Sequence, residues 1–179
     1  MSFASDKKWV SWFGGAALAG LLFLNPAAAG SQNQSQGTVG WVVDGDTFQL
    51  DTGEKIRLIG IDTPEYQPWK HRADFYGKEA FLYAKSLLKN KKVRLEKDAE
   101  EKDKYGRTLA YVYLEDGTFV NRLLVTEGYA RARNYPPDSR YQKTLKEAEE
   151  EAKGLKKGLW AGKRLRRQPA FLDNLGANG

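Results

Sequence analysis

Three short segments of alternating residues, joined by two tight turns, most constrain how this chain can fold. In the first segment Val39, Trp41 and Val43 alternate with other residues, and an Asp-Gly dipeptide follows. The second segment covers 47–50, and the third covers 55–61 after an Asp-Thr-Gly turn. Alternation with a period of two is typical of β-strands, and Asp-Gly favours a tight hairpin. The sequence therefore predicts a meander of three strands.

Later segments predict three helices and two more strands. Apolar residues recur at helical spacing over 77–89, and alternation resumes over 92–97 and 108–114. Two further helices are predicted over 120–127 and 139–157, each ending close to a glycine. A helix between the third and fourth of five strands, with helices after the fifth, matches a small Greek-key barrel. We therefore predict an α+β fold, a five-stranded OB-fold β-barrel with three helices.

The composition suits one packed domain without covalent crosslinks. Hydrophobic residues make up 41% of the 179 residues and aromatic residues 12%, and we predict that Trp41 and Trp160 lie in the core. The chain contains no cysteine. Disulfides, thiolate metal sites and cysteine nucleophiles are therefore excluded.

The first thirty residues have the pattern of a targeting segment. Lys7 and Lys8 precede an apolar run over 9–24, and three alanines follow at 27–29. This pattern predicts a signal peptide over 1–29, and hence a secreted or periplasmic protein. The apolar run is short for a membrane span, and the open alternative is an uncleaved anchor formed by 9–24.

The remaining boundaries follow from composition. Residues 30–36 are rich in Ser, Asn and Gln and predict a polar linker. The folded domain is predicted over 37–161. Residues 162–179 carry clustered lysine and arginine and then Gly and Asn, which predicts a basic flexible tail.

The net charge narrows the class of partner. Lys and Arg together number 29 and Asp and Glu 23, which gives a net charge of +6. A basic chain is attracted to polyanions such as nucleic acid and to anionic membrane surfaces, although a soluble basic surface without such a partner is equally consistent.

Two acidic motifs follow strands of the predicted meander. They are Asp-Gly-Asp-Thr at 44–47 and Asp-Thr-Pro-Glu at 62–65. Each motif alone is more typical of a turn or a cap. Together they bring Asp46 and Asp62 to neighbouring strand ends, within reach of one ion. Two carboxylates, a backbone carbonyl and several waters suit a hard cation, and flexible coordination favours Ca²⁺ over Mg²⁺.

Two residues beside these motifs suggest phosphate chemistry. Glu65 lies in the second motif, where its carboxylate can accept a proton from water as a general base. Arg57 lies on the predicted third strand, where most arginines are simply surface residues. Its guanidinium can bind phosphate in a bidentate manner and stabilise charge that develops on a phosphoryl group.

A second arginine lies in the turn before the fifth predicted strand. The turn contains Lys104, Tyr105 and Arg107, and alone it would be an ordinary polar turn. Beside the acidic motifs it suggests a second phosphate contact with a tyrosine that stacks or donates a hydrogen bond.

Taken together, these motifs resemble the staphylococcal nuclease (thermonuclease) family. The resemblance runs in family order through five segments and on to Trp160. The segments are V-D-G-D-T at 43–47, R-L-I-G-I-D-T-P-E at 57–65, Y-G-K-E-A at 76–80, D-K-Y-G-R at 103–107 and V-N-R-L-L-V-T-E-G-Y-A at 120–130. The resemblance implies an OB-fold barrel with three helices and Ca²⁺-dependent hydrolysis of DNA and RNA to 3′-phosphate products.

The resemblance also implies roles for the acidic residues. Asp46, Asp62 and the Thr63 carbonyl would bind the ion. Glu65 would position or deprotonate the attacking water, and Asp44 would support the site from behind the ligands.

The basic and aromatic residues receive substrate roles from the same resemblance. Arg57 and Arg107 would hold the phosphate and stabilise its transition state. Lys104 and Tyr105 would contact a neighbouring phosphate or base. The family's pocket tyrosine is harder to place, because the loop over 132–139 is one residue shorter here, and Tyr135 is our candidate.

Two classes of function remain open at this point. The first is an exported calcium-dependent endonuclease, and the alternative is a catalytically inactive OB-fold module that only binds nucleic acid. Retention of Arg57, Glu65 and Arg107 favours the enzyme. The expected partners are DNA and RNA, with no obligate protein partner and a monomeric state. Membrane contact is expected only if the N-terminal segment stays uncleaved.

Overall fold

The computed structural model describes residues 34–162, which form a barrel with three helices. The strands are β1 (Gln34–Asp44), β2 (Thr47–Leu50), β3 (Lys55–Leu58), β4 (Ile61–Asp62), β5 (Tyr66–Gln67), β6 (Arg72–Ala73), β7 (Lys92–Glu96), β8 (Thr108–Leu114) and β9 (Arg131–Ala132). The helices are α1 (Gly77–Leu88), α2 (Val120–Thr126) and α3 (Gln142–Gly154).

Five of the strands close into the barrel in the order β1-β2-β3-β8-β7. The β3–β8 pair is parallel, whereas the other neighbours are antiparallel. The α+β fold with a five-stranded barrel and three helices is therefore confirmed.

The long strand β1 closes the barrel because its two halves pair with different neighbours. Its first five residues pair with β7, whereas Val39 to Asp44 pairs with β2. The predicted linker over 30–36 therefore ends earlier than expected, because residues 34–36 already lie in the strand. Their polar side chains are exposed, so backbone pairing with β7, rather than side-chain burial, holds these residues in the strand.

The third predicted strand is divided in two. It ends at Leu58, and Gly60 adopts a positive φ of 76° that suits glycine. The following pair, Ile61 and Asp62, forms β4 and pairs with β9 outside the barrel. This division moves Asp62 off the barrel wall and turns its carboxylate toward β3.

The core fills the barrel and extends beneath the helices. Its largest fully buried side chains come from the barrel strands, β4 and all three helices. They are Tyr111, Phe48, Ile56, Leu58, Ile61, Leu88, Leu95, Leu124, Leu145, Val39, Val93 and Val112.

The prediction that Trp41 lies in the core is wrong. The register of β1 against β2 shifts between Val39 and Trp41, so Val39 and Val42 are buried while Trp41 is 58% exposed. Trp160 is only partly buried, and its ring lies beside the cations of Arg131 and Lys153.

The predictions for the two ends of the chain lie outside the described residues. They are the signal peptide over 1–29, the alternative anchor over 9–24 and all but the first residue of the tail over 162–179. Across 34–162, no helix has both the length and the apolar character needed to cross a membrane.

Asn121 connects helix α2 to β8 and to the segment that follows β3. Its side chain is fully buried, donates to the Ile59 carbonyl at 2.8 Å and accepts from the Val112 amide at 2.9 Å. One side chain therefore satisfies two buried backbone groups, one on each side of the β3–β8 pair.

We predict that Asn121→Ala lowers the free energy of unfolding by about 2–4 kcal/mol, because it leaves a buried amide and a buried carbonyl without partners. Urea unfolding monitored by circular dichroism measures the change. Arg122→Ala, an exposed position on the same helix, is the matched control and should change stability by less than about 0.5 kcal/mol. Equal stability of the two variants would contradict the role of Asn121.

Candidate active site

Arg57 lies at the centre of the site, between the two acidic motifs. Strand pairing places Arg57 directly opposite Thr47, the residue after Asp46. Its Nη1 lies 2.6 Å from Asp46 Oδ2, and its Nη2 donates to Asp62 Oδ1 at 3.4 Å. The two predicted metal ligands therefore share one guanidinium, which places the two carboxylates side by side as the motif spacing predicted.

Asp46 is held firmly by the second motif. It is buried, and its Oδ2 accepts hydrogen bonds from the backbone amide and the hydroxyl of Thr63, both at 3.0 Å. The Asp46 carbonyl accepts from the Leu58 amide on β3. These bonds fix the position of the carboxylate before any ligand arrives.

Asp62 is more accessible than Asp46. Its side chain is about two-fifths exposed, and Arg133 approaches its second carboxylate oxygen at 3.6 Å. The electrostatic environment of Asp62 is therefore cationic on two sides, from Arg57 and Arg133.

Glu65 makes three hydrogen bonds, one through its carboxylate and two through its backbone. Gln67 donates a hydrogen bond of 2.7 Å to Glu65 Oε2. The Glu65 backbone exchanges hydrogen bonds with Asp74, whose own carbonyl accepts from the first residue of α1, Gly77. The β5–β6 hairpin and the start of α1 together fix this carboxylate.

Asp44 lies close to both Asp46 and Glu65. Burial raises the pKa of Asp44 to about 7, and the negative charges of Asp46 and Glu65 add to the increase against an opposing hydrogen bond from the Gly45 amide. Asp46 and Glu65 therefore lie close enough to Asp44 to oppose its ionisation.

The second arginine is held by an acid of its own turn. Arg107 donates through Nε to Asp103 Oδ2 at 2.7 Å and through Nη1 to the Thr47 hydroxyl at 3.3 Å, and its Nη2 lies 2.7 Å from the same Asp103 oxygen. Burial disfavours the charged form of Asp103, yet hydrogen bonds from the Arg107 backbone and side chain and from the Tyr105 amide hold its pKa below the usual range.

Two cavities meet at the arginines. The larger has a volume of about 490 Å³ and includes Lys104, Tyr105 and Tyr135 in its lining. The smaller, of about 250 Å³, is lined by the carboxylates of Asp44, Asp46 and Glu65 and by the cations of Lys55, Arg57 and Arg107. Arg57 and Arg107 line both cavities, so one group can contact both guanidiniums.

The aromatic residues predicted to bind substrate line the larger cavity with exposed rings. Tyr105 is 72% exposed and Tyr135 is 49% exposed. The cations of Lys104 and Arg107 lie 5.1 and 5.4 Å from the Tyr105 ring centre. A ring flanked by two cations suits the stacking of a base beside a phosphate.

The donor set suits a hard cation. Asp46 and Asp62 offer carboxylate oxygens, the ligands that Ca²⁺ and Mg²⁺ prefer. Arg57 Nη1 is buried without a well-aligned hydrogen bond, despite its short distance to Asp46, so the guanidinium satisfies these carboxylates only in part. No cluster of three or more His, Asp or Glu side chains in the described part of the chain has the geometry to enclose an ion, so waters and backbone oxygens would complete the shell.

The sequence did not predict that Gln67 and Asp103 contribute to the site. Gln67 is an ordinary polar residue of a short hairpin, and no local pattern marks it. Asp103 lies four residues before Arg107, and this spacing in a turn that ends with Gly-Arg is a signal for a carboxylate that folds back on the arginine.

Gly77 allows helix α1 to approach the backbone of Glu65. A Cβ at this position would collide with the Glu65 carbonyl oxygen and come within 3.1 Å of the Pro64 carbonyl oxygen. We predict that Gly77→Ala lowers the free energy of unfolding by about 1–3 kcal/mol and shifts the Glu65 amide resonance, measured by urea unfolding and by NMR.

Gly154→Ala is the matched control on α3, because a Cβ there meets no atom within 4 Å. This variant should be neutral or more stable by up to about 1 kcal/mol, since alanine favours helix. An unchanged Glu65 resonance in Gly77→Ala would show that the close approach does not position this carboxylate.

Comparison with known proteins finds a matching family model and several similar proteins. The family model described as "Staphylococcal nuclease homologue" matches residues 55–162. A thermonuclease of Staphylococcus hyicus is 45% identical over 139 residues, covering 75% of this chain and 82% of that protein.

Two further relatives extend the comparison. A thermonuclease of Staphylococcus intermedius is 47% identical over 122 residues, covering 66% of this chain and 72% of that protein. Endonuclease YncB of Bacillus subtilis strain 168 is 36% identical over 147 residues, covering 79% and 66% respectively. The chain therefore belongs to the staphylococcal nuclease family, as its motifs predicted.

Proposed function

We propose that the protein is a calcium-dependent endonuclease that hydrolyses phosphodiester bonds of DNA and RNA and leaves 3′-phosphate ends. The observation that carries this proposal is that a cavity lined by carboxylates and cations meets a cavity lined by exposed tyrosines at Arg57 and Arg107. A phosphodiester presents an anion beside a flat base, and the two cavities match these two parts.

Asp46 and Asp62 are the proposed carboxylate ligands of Ca²⁺, with the Thr63 carbonyl as a backbone ligand. The ion, when bound, would polarise the phosphate and offset its negative charge. Asp44 supports the site from behind Asp46, where its carboxyl group lies beside Glu65.

Glu65 is the proposed general base. Its carboxylate lines the smaller cavity, where it can accept a proton from water, and the hydrogen bond from Gln67 fixes one of its oxygens.

Arg57 and Arg107 are the proposed phosphate ligands. Both are permanently charged, and carboxylates orient both guanidiniums in the absence of substrate. Lys104, Tyr105 and Tyr135 would hold the adjoining base and phosphate in the larger cavity.

Export is part of the proposal. The charged, apolar and small-residue pattern of the first 29 residues supports a secreted or periplasmic enzyme, with an anchor over 9–24 as the alternative. Calcium is abundant outside the cytoplasm, which suits a weakly held ion with few protein ligands.

Cleavage of single-stranded DNA and RNA should require Ca²⁺ and stop when a chelator is added. Products separated on a denaturing gel and treated with a 3′-phosphatase should reveal 3′-phosphate ends. Undiminished cleavage under chelation would contradict the metal assignment, and 5′-phosphate ends would contradict the bond assignment.

Glu65→Gln should lower kcat by about 100- to 10,000-fold while leaving substrate affinity nearly unchanged, because the amide keeps the shape of the side chain but cannot accept the proton. Steady-state kinetics on a single-stranded oligonucleotide measure both quantities. Glu115→Gln, at an exposed turn after β8, is the matched control and should be as active as the wild type.

Two results would contradict this reading. If Glu65→Gln cleaved substrate at the wild-type rate, Glu65 would not be the general base. Binding without cleavage by the unmodified protein would favour the alternative function, an inactive OB-fold module that binds nucleic acid.

A further inference from the structure

The outer face of β1, β2 and β3 carries an exposed aromatic ring and an exposed cation in register. Gln49 on β2 pairs with Trp41 on one side and with Lys55 on the other. Residues that are direct partners across antiparallel strands project to the same face. Trp41 and Lys55 therefore lie on one face, about 10 Å apart across the central strand.

This face continues directly into the proposed active site. Lys55 lines the smaller of the two cavities together with Arg57, which lies two residues further along the same strand and on the same face. Trp41 lies two strands away from Lys55, beyond the edge of that cavity. The outer face therefore leads from the phosphate site to an exposed tryptophan.

Within residues 34–162, no charged or aromatic side chain holds Lys55 or Trp41 in place. Across residues 34–162, Lys55 forms no ion pair and Trp41 makes no ring contact with another aromatic or cationic side chain. The nearest acid in sequence, Glu54, instead accepts a hydrogen bond of 2.6 Å from the Thr108 hydroxyl. The amide of Gln49 is occupied by the Gly53 carbonyl.

The chemistry of this face fits one occupant, a single strand of nucleic acid. A free cation suits a phosphate, and an exposed indole suits stacking with an unpaired base. The outer face of the second and third strands is also the surface on which OB barrels generally bind oligonucleotides. A protein partner could pack against the Trp41 ring, but it would not require Lys55 to be aligned with the phosphate site.

We propose that Lys55 and Trp41 bind the part of a single-stranded substrate that continues past the cleaved phosphate. Lys55 contacts the next phosphate along the strand, and Trp41 stacks on an unpaired base. This inference rests on the proposed nuclease function. It predicts that affinity rises with the length of the single strand beyond the cleaved phosphate, and that Trp41 and Lys55 account for the increase.

The test compares one long and one short substrate. Trp41→Ser and Lys55→Gln should each raise KM for a 12-nucleotide single strand by about tenfold, and Trp41→Phe should restore most of the loss. Cleavage of a dinucleotide, which is too short to reach Trp41, should stay unchanged in Trp41→Ser. Leu155→Ser and Lys92→Gln are controls at an exposed apolar side chain and an exposed lysine elsewhere on the surface.

A binding measurement separates this inference from the proposed function. The dissociation constant of a labelled 12-nucleotide strand is measured by fluorescence anisotropy with the Glu65→Gln protein, with and without Trp41→Ser. A tenfold weaker dissociation constant supports the surface even if the chain proves not to cleave. Unchanged binding and KM would overturn it, as would equal losses on both substrates or equal losses in the controls.

Discussion

The contact of Arg57 with Asp46 and Asp62 is the interaction on which the site depends. One guanidinium lies against two carboxylates, and removing it would leave the buried Asp46 carboxylate without its ion-pair partner. The contact exists because the barrel register sets Arg57 beside the first acidic motif, while the turn at Gly60 brings the second motif back toward β3.

Neighbouring side chains hold the other charged groups of the site in place. Asp103 orients Arg107, Gln67 orients Glu65, and Thr63 fixes Asp46 with two donors. On our proposal, Asp46 and Asp62 would bind calcium instead of pairing with Arg57, and the Arg57 guanidinium would then be free to bind phosphate. The same residues would thus serve a charge-balanced resting site and a site for an anionic substrate.

Local patterns in the sequence predicted the strands, the helices and the two acidic motifs, because these depend on periodicity and turn chemistry. They failed at Trp41, because a shift of register after Val39 reverses the face on which the following residues lie, and alternation alone cannot reveal it. They also missed Gln67 and Asp103, whose roles arise only when separate loops meet. The motif spacing predicted that Asp46 and Asp62 would be neighbours, but not that Arg57 would lie between them.

Calcium binding measured directly by isothermal titration calorimetry tests the central claim. The account predicts one Ca²⁺ per chain for residues 30–179, with affinity at least about tenfold weaker in Asp62→Asn and unchanged in Asp116→Asn at an exposed turn. Absence of calcium binding to the wild type, or equal affinity in Asp62→Asn, would contradict the claim that the two acidic motifs form one ion site.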